Sequence, residues 1–192
     1  MMPTFKDILD FAGKIKEPKL RKMVIDTLKN PGPLSNKSLK LPQVPFEQAP
    51  ASIDWHHAKT GGLVEHTYIV TKMCISVAED LKKVYKTRMD MDALIAGALL
   101  HDIGKVWGVR KTRSGKWQST GSTIDHTMLG TAELHARHFS EKVVHIVASH
   151  FGENGPTPPQ TIEAYIVHMI DNMDAVINGN AEDSKVINLL IG

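Results

Sequence analysis

The run Ala93–Leu100, "ALIAGALL", has no polar side chain on any face, and it leads straight into His101-Asp102. A helix that is apolar all round has to be enclosed by other elements. This one therefore forces the chain to wrap it, and it carries an ionisable pair into the enclosed space. A buried imidazole and carboxylate are costly unless a hydrogen-bond partner, an opposite charge or a metal ion compensates them.

The elements available for wrapping are helical. Ile8, Leu9 and Phe11, then Leu20, Met23, Val24 and Leu28, recur at helical spacing and predict helices over about Thr4–Ala12 and Glu17–Lys29. Val64, Ile69, Val70, Met73, Val77, Leu81 and Val84 stripe a helix from about Leu63 to Tyr85. Asp92 is expected to cap the central helix, which runs to about Asp102. Asp125 is expected to cap a helix from His126 to about Phe139, Ser140 and Glu141 to open one through His150, and Thr161 to cap one from Ile162 to about Ile177. The predicted class is all-α, one helical bundle, with a small β-hairpin over 106–119 turning at Ser114-Gly115. Three stretches follow: N-terminal helices and a Pro-rich wrap-around loop (1–60), the domain with the candidate site (61–178), and a tail with a short terminal helix (179–192).

A length of 192 residues suffices for one sizeable core, and a net charge of +2 provides no bulk attraction for nucleic acid. Cys74 is the only cysteine, so no disulfide or thiolate zinc site forms within the chain, and a reducing cytoplasm is expected. No apolar run reaches the roughly 18 residues of a membrane span. The N-terminus scatters charges and has no apolar leader core.

Ten histidines are many for this length. His66 falls in the first turn of the long helix, His101 and Asp102 at the end of the enclosed one, His126 and His150 at helix ends, and Asp171 within the last helix. Imidazoles mixed with carboxylates suit Mn, Fe, Co, Ni or Zn. His56, His135, His138 and His145 read as surface or packing residues, and the methionines as core or helix surface.

The order H…HD…H…H…D, carried by "LVEHT", "LLHDIGK", "DHT", "ASHF" and "IDNMDA", resembles the HD-domain metal-dependent phosphohydrolases. The resemblance runs from about Trp55 to Ala175. "HHAKTGGLVEHT" with "LLHDIGK" is most similar to the HD domain of bacterial 3′→5′ exoribonucleases. Those enzymes carry an OB-fold before this domain, whereas residues 1–60 here read as helix and loop.

The resemblance implies that His66, His101, Asp102 and Asp171 hold one divalent ion, and that Asp102 bridges to a second held by His126 and His150. A single ion, with His126 and His150 near the substrate, is the alternative. Two divalent ions against two aspartates leave a site of about +2, which attracts phosphate and favours a metal-bound hydroxide. Beyond Asp102, the catalytic candidates are Lys105, as a phosphate contact, and His57, as a proton donor. Asp174 and His168 are candidates for supporting a ligand or touching substrate, and Arg110 and Lys111 for binding it.

The implied activity is hydrolysis of a phosphate ester of a nucleotide or related small molecule. Its variants are 3′→5′ phosphodiester cleavage of single-stranded RNA, a di-iron oxygenase of the same fold, and a non-catalytic nucleotide-binding domain. Pairing of the N-terminal helices would make a homo-oligomer, and no membrane partner is expected.

Overall fold

The computed structural model describes residues 2–32 and 41–179. Its helices are α1 (Phe5–Ala12), α2 (Pro18–Lys29), α3 (Gly62–Tyr85), α4 (Met91–Leu100), α5 (Lys105–Gly108), α6 (His126–Ala136), α7 (Glu141–Ser149) and α8 (Ile162–Gly179). Between α5 and α6, β1 (Val109–Lys111) and β2 (Trp117–Ser119) form an antiparallel hairpin with Val109 opposite Ser119. The all-α class with one small hairpin is the architecture observed. The terminal helix expected within 179–192 lies outside the described residues apart from Gly179, which ends α8.

The apolar run behaves as its composition dictates. Every residue from Ala93 to Leu100 is buried, and α4 packs against α1, α2, α3, α7 and α8. The N-terminal helices belong to the same core, to which Ile8, Ala12, Val24 and Leu28 contribute fully buried side chains. α1 lies against α3 and α4. No described helix is long and apolar enough to cross a membrane.

Three boundaries differ from expectation. Asp90, not Asp92, caps α4, its Oδ1 accepting from the Ala93 N–H at 3.0 Å. The Asp92 carboxylate instead accepts from the N–H groups of Lys16 and Glu17, tying the α1–α2 turn to the bundle. α4 stops at Leu100, two residues before the expected end. α6 stops at Ala136 because His138 takes a left-handed conformation (φ 63°), which turns the chain so that Phe139 is buried.

Candidate metal centre and flanking cavities

Five helical segments converge on one point. His66 sits in the first turn of α3, and His101 and Asp102 follow the end of α4. His126 opens α6, His150 caps the C-terminus of α7, and Asp171 lies mid-way along α8. Two close backbone approaches make the convergence possible. A Cβ on Gly62 would fall 1.9 Å from the His57 carbonyl oxygen, so glycine lets the preceding loop run against α3. A Cβ on Gly104 would fall 1.9 Å from the His126 carbonyl oxygen, so the HD turn can abut the start of α6.

His66 Nε2 lies 3.0 Å from Asp171 Oδ1, 3.1 Å from His101 Nε2 and 3.3 Å from Asp102 Oδ2. His101 Nε2 lies 3.4 Å from Asp102 Oδ2 and 3.6 Å from Asp171 Oδ1. Ligand atoms about 2.1 Å from one ion are ~3.0 Å apart at right angles and ~3.4 Å apart at tetrahedral angles. The four atoms are therefore spaced like the edges of a coordination shell. The other Asp102 oxygen, Oδ1, faces a second group: His126 Nε2 at 3.1 Å and His150 Nε2 at 3.7 Å.

The outer atoms of these rings are fixed so that the inner ones point at the centre. His101 Nδ1–H donates to the Ala98 carbonyl at 2.8 Å, and His150 Nδ1–H to the Val147 carbonyl at 2.7 Å. His66 Nδ1–H donates to Asp174 Oδ2 at 2.7 Å. Each imidazole thus turns an Nε2 lone pair inward, the tautomer that a metal ion requires. His126 Nε2 and His150 Nε2 are buried and make no hydrogen bond among the described residues. Asp102 Oδ2 has an ion pair with Lys105 Nζ at 2.6 Å but no well-aligned hydrogen bond. Inward, unsatisfied nitrogen and oxygen donors fit a divalent cation.

In the metal-free protein, protons take the place of the cation. Burial opposes charge on His101, but Asp102 and Asp171 outweigh it and raise its pKa to about 9. His66 is raised in the same way against its burial, by Asp102, Asp171 and Asp174. Burial raises Asp174, yet its hydrogen bonds to His57 and His66 prevail and hold it at about 2. His150 is pushed down to about 4, chiefly by burial.

Two cavities flank the centre. One, of about 330 Å³ on the Asp171 side, is lined by Asp102, His150, His168, Asn154 and Asn172. The second, of about 420 Å³ on the His126 side, lies against the 51–56 loop and the hairpin. Both share Trp55, His56, Lys105 and Phe151.

The expected site residues distribute unevenly over this arrangement. His66, His101, Asp102, His126, His150 and Asp171 meet at the centre, with Lys105 beside them. His168 lines the Asp171-side cavity, its Nδ1–H donating to the His150 carbonyl at 2.8 Å. His57 lies behind His66, its Nε2 3.0 Å from Asp174 Oδ2 and its Nδ1 3.4 Å from Glu65 Oε2. It lines neither cavity, so the role of proton donor to a leaving group has no geometry here. His56, expected at the surface, is 5% exposed and lines both cavities, its ring 5.0 Å from that of His66. Burial and the nearby Lys105 charge push its pKa down to about 3. Arg110 and Lys111 are on the hairpin, away from both cavities; Lys111 Nζ stacks over the Trp117 ring at 4.8 Å. Trp55, Phe151 and Asn172 have no signal in the sequence beyond adjacency to His56, His150 and Asp171.

An all-helical bundle that gathers four imidazoles and two carboxylates in one buried region fits a metal-dependent enzyme. The family model for the HD domain matches residues 63–176. The dihydroneopterin 2′,3′-cyclic phosphate phosphodiesterase of Methanocaldococcus jannaschii is 44% identical over 172 residues, 89% of this chain and 69% of that protein. The 3′-5′ exoribonuclease YhaM of Halalkalibacterium halodurans is 32% identical over 189 residues, 90% of this chain and 52% of that protein. The YhaM of a Geobacillus strain is 32% identical over 187 residues, 90% of this chain and 56% of that protein. The chain thus spans about half the length of the exoribonucleases it matches. The chain belongs to the HD domain family, and it is a metal-dependent phosphohydrolase.

Proposed function

We propose that this protein is a phosphodiesterase for small nucleotide-like molecules, with a cyclic phosphate diester as the preferred substrate. The observation that carries this reading is the Asp102 carboxylate, with one oxygen directed to each group of ligands, set beside Lys105 at the junction of two small cavities. The archaeal relative named for cyclic phosphate cleavage supports it. Cavities of about 330 and 420 Å³ suit a small molecule better than a polymer.

In this reading His66, His101, Asp102 and Asp171 hold one divalent ion, and Asp102, His126 and His150 hold a second. When bound, the ions supply a hydroxide near neutral pH and neutralise charge on the phosphate. The chain's own residues do the rest. Lys105 Nζ, already beside Asp102, contacts a non-bridging phosphate oxygen and stabilises the charge that builds up on it. Asp174 orients His66 through Nδ1, and His57 braces Asp174 from behind. His56, held neutral by burial, donates a hydrogen bond to an ester oxygen. Trp55 and Phe151 keep bulk water from the reacting phosphorus.

Elemental analysis followed by assay with Mn, Fe, Co, Ni, Zn and Mg in turn tests this reading. The expected result is about two ions per chain and conversion of a 2′,3′-cyclic nucleotide to a monophosphate, both lost in Asp102→Ala. Shortening of single-stranded RNA without cyclic phosphate cleavage would move the activity to the exoribonuclease type. No bound metal under any loading would overturn the reading.

A further inference from the structure

The His126-side cavity has features that phosphodiester cleavage alone does not require. Ile53, Trp55, Ile124 and Phe151 are 39%, 50%, 37% and 36% exposed, and all four line it. Large apolar side chains grouped at the mouth of one cavity mark a surface that something covers. Trp55 is set edge-on to His56 at 4.9 Å, its indole lies against the end of α8 at Gly179, and half of its surface is exposed. Asp54 stands at the same rim, with no hydrogen bond or ion pair among the described residues. Asp125, also on the rim, is already engaged: its Oδ1 accepts from the Met128 N–H as the cap of α6. The Asp171-side cavity shares Trp55 and Phe151 but has Asn154, Asn172 and His168 where this one has Ile53 and Ile124.

We infer that the His126-side cavity is the specificity slot for the substrate's ring, taking a flat, nitrogen-rich heterocycle that presents an amino group and an adjacent ring N–H to Asp54. This rests on the phosphodiesterase reading above and names the half of the substrate that the metal centre does not touch. The slot shares Lys105 and His126 with the centre, so a phosphate held there brings its attached ring to the slot mouth. Trp55 and the Ile53 and Ile124 side chains cover the ring faces. A carboxylate accepts two parallel N–H bonds from a 2-amino-oxo ring such as guanine, a charge-assisted pairing that hypoxanthine, lacking the amino group, cannot complete. The hydroxyl-bearing part of the substrate then faces the amides of the other cavity.

The test compares wild type, Asp54→Asn and Ile124→Arg in the metal-loaded protein. Three probes are used: the 2′,3′-cyclic phosphates of guanosine and inosine, and glycerol 1,2-cyclic phosphate, which has no ring. Ile124→Arg is expected to lower kcat/KM roughly tenfold on both nucleotides, as loss of ring contacts does, and to leave the ring-free probe within about twofold. Asp54→Asn is expected to lower kcat/KM on guanosine cyclic phosphate about tenfold, to that on the inosine compound, through KM. Equal losses on all three probes, or none on the nucleotides, would overturn the slot.

Binding is read separately from hydrolysis by quenching of tryptophan fluorescence with free guanosine. Quenching weakened by Ile124→Arg and absent in Trp55→Phe supports the slot even if no probe is cleaved, an outcome that would sink the phosphodiesterase reading alone. Quenching that neither substitution alters would overturn the slot even if all probes are cleaved.

Discussion

Asp102 is 2% exposed, and nitrogen atoms of four histidines and Lys105 crowd its two oxygens. Removing the carboxylate leaves inward imidazoles without a shared anion, so Asp102→Ala is expected to lose stoichiometric metal while circular dichroism stays helical. Asp174 acts one step further out, through His66 Nδ1. Asp174→Asn is expected to weaken metal binding by ~10–100-fold, measured by competition with a chelator, without abolishing it. Protons and metal compete for the same nitrogens. His101 has an ordinary value of 6.5 in the unfolded chain and about 9 in the metal-free fold. Its pairing with Asp102 and Asp171 therefore stabilises the metal-free fold fully below about pH 6.5 and is lost as pH rises through about 9. Melting of chelator-treated protein is expected to fall across that window, and metal-loaded protein, with Nε2 occupied, to show no such fall. A flat profile in the metal-free protein would count against this account. At this scale the doublet and the spaced histidines were legible, because their types point to one chemistry. His56 was not: it lies in an irregular loop, where no periodicity tells an inward ring from an outward one.

α4 shows what an element's own sequence does and does not determine. Its burial followed from composition, since "ALIAGALL" has no face to give to water. Its cap did not, because Asp90 and Asp92 are equally good N-cap residues locally. The choice is tertiary: Asp92 is taken by the Lys16 and Glu17 N–H groups, and Asp90 is left to cap while also holding Lys142 at 3.0 Å. The hairpin was legible from its turn, yet its basic residues line neither cavity, while Gly108, Val109 and Ser119 line the second one. Leu99 is 1% exposed in the centre of this packing. Leu99→Ala is expected to cost about 2–5 kcal/mol in chemical denaturation of the metal-loaded protein, because the helices around it cannot all close on the void. Metal stoichiometry should survive, since no ligand atom depends on that side chain.

Across the whole molecule, the candidate ligands come from α3, the α4–α5 turn, α6, α7 and α8, so ions bound as proposed would tie together elements from both halves of the chain. Class and bundle were legible because period and burial are local properties. The cavities were not, since their walls combine the 51–56 loop, the hairpin and the ends of α6 and α7, which only the fold brings together. The same geometry makes the metal a fold-wide constraint. A ligand that binds only the native state stabilises it by about 2.7 kcal/mol at a free concentration a hundred times its Kd. For a domain of this size each kcal/mol moves Tm by roughly 2–4 °C. Chelation is therefore expected to lower Tm by roughly 5–10 °C for each ion held at such loading, and by about twice that if both proposed sites are filled. The drop should shrink to nearly nothing in Asp102→Ala, which has no ion to lose, and remain in Lys105→Ala, which keeps every ligand and loses turnover. A Tm that chelation leaves unchanged in wild type would mean that the ion is not held between these helices.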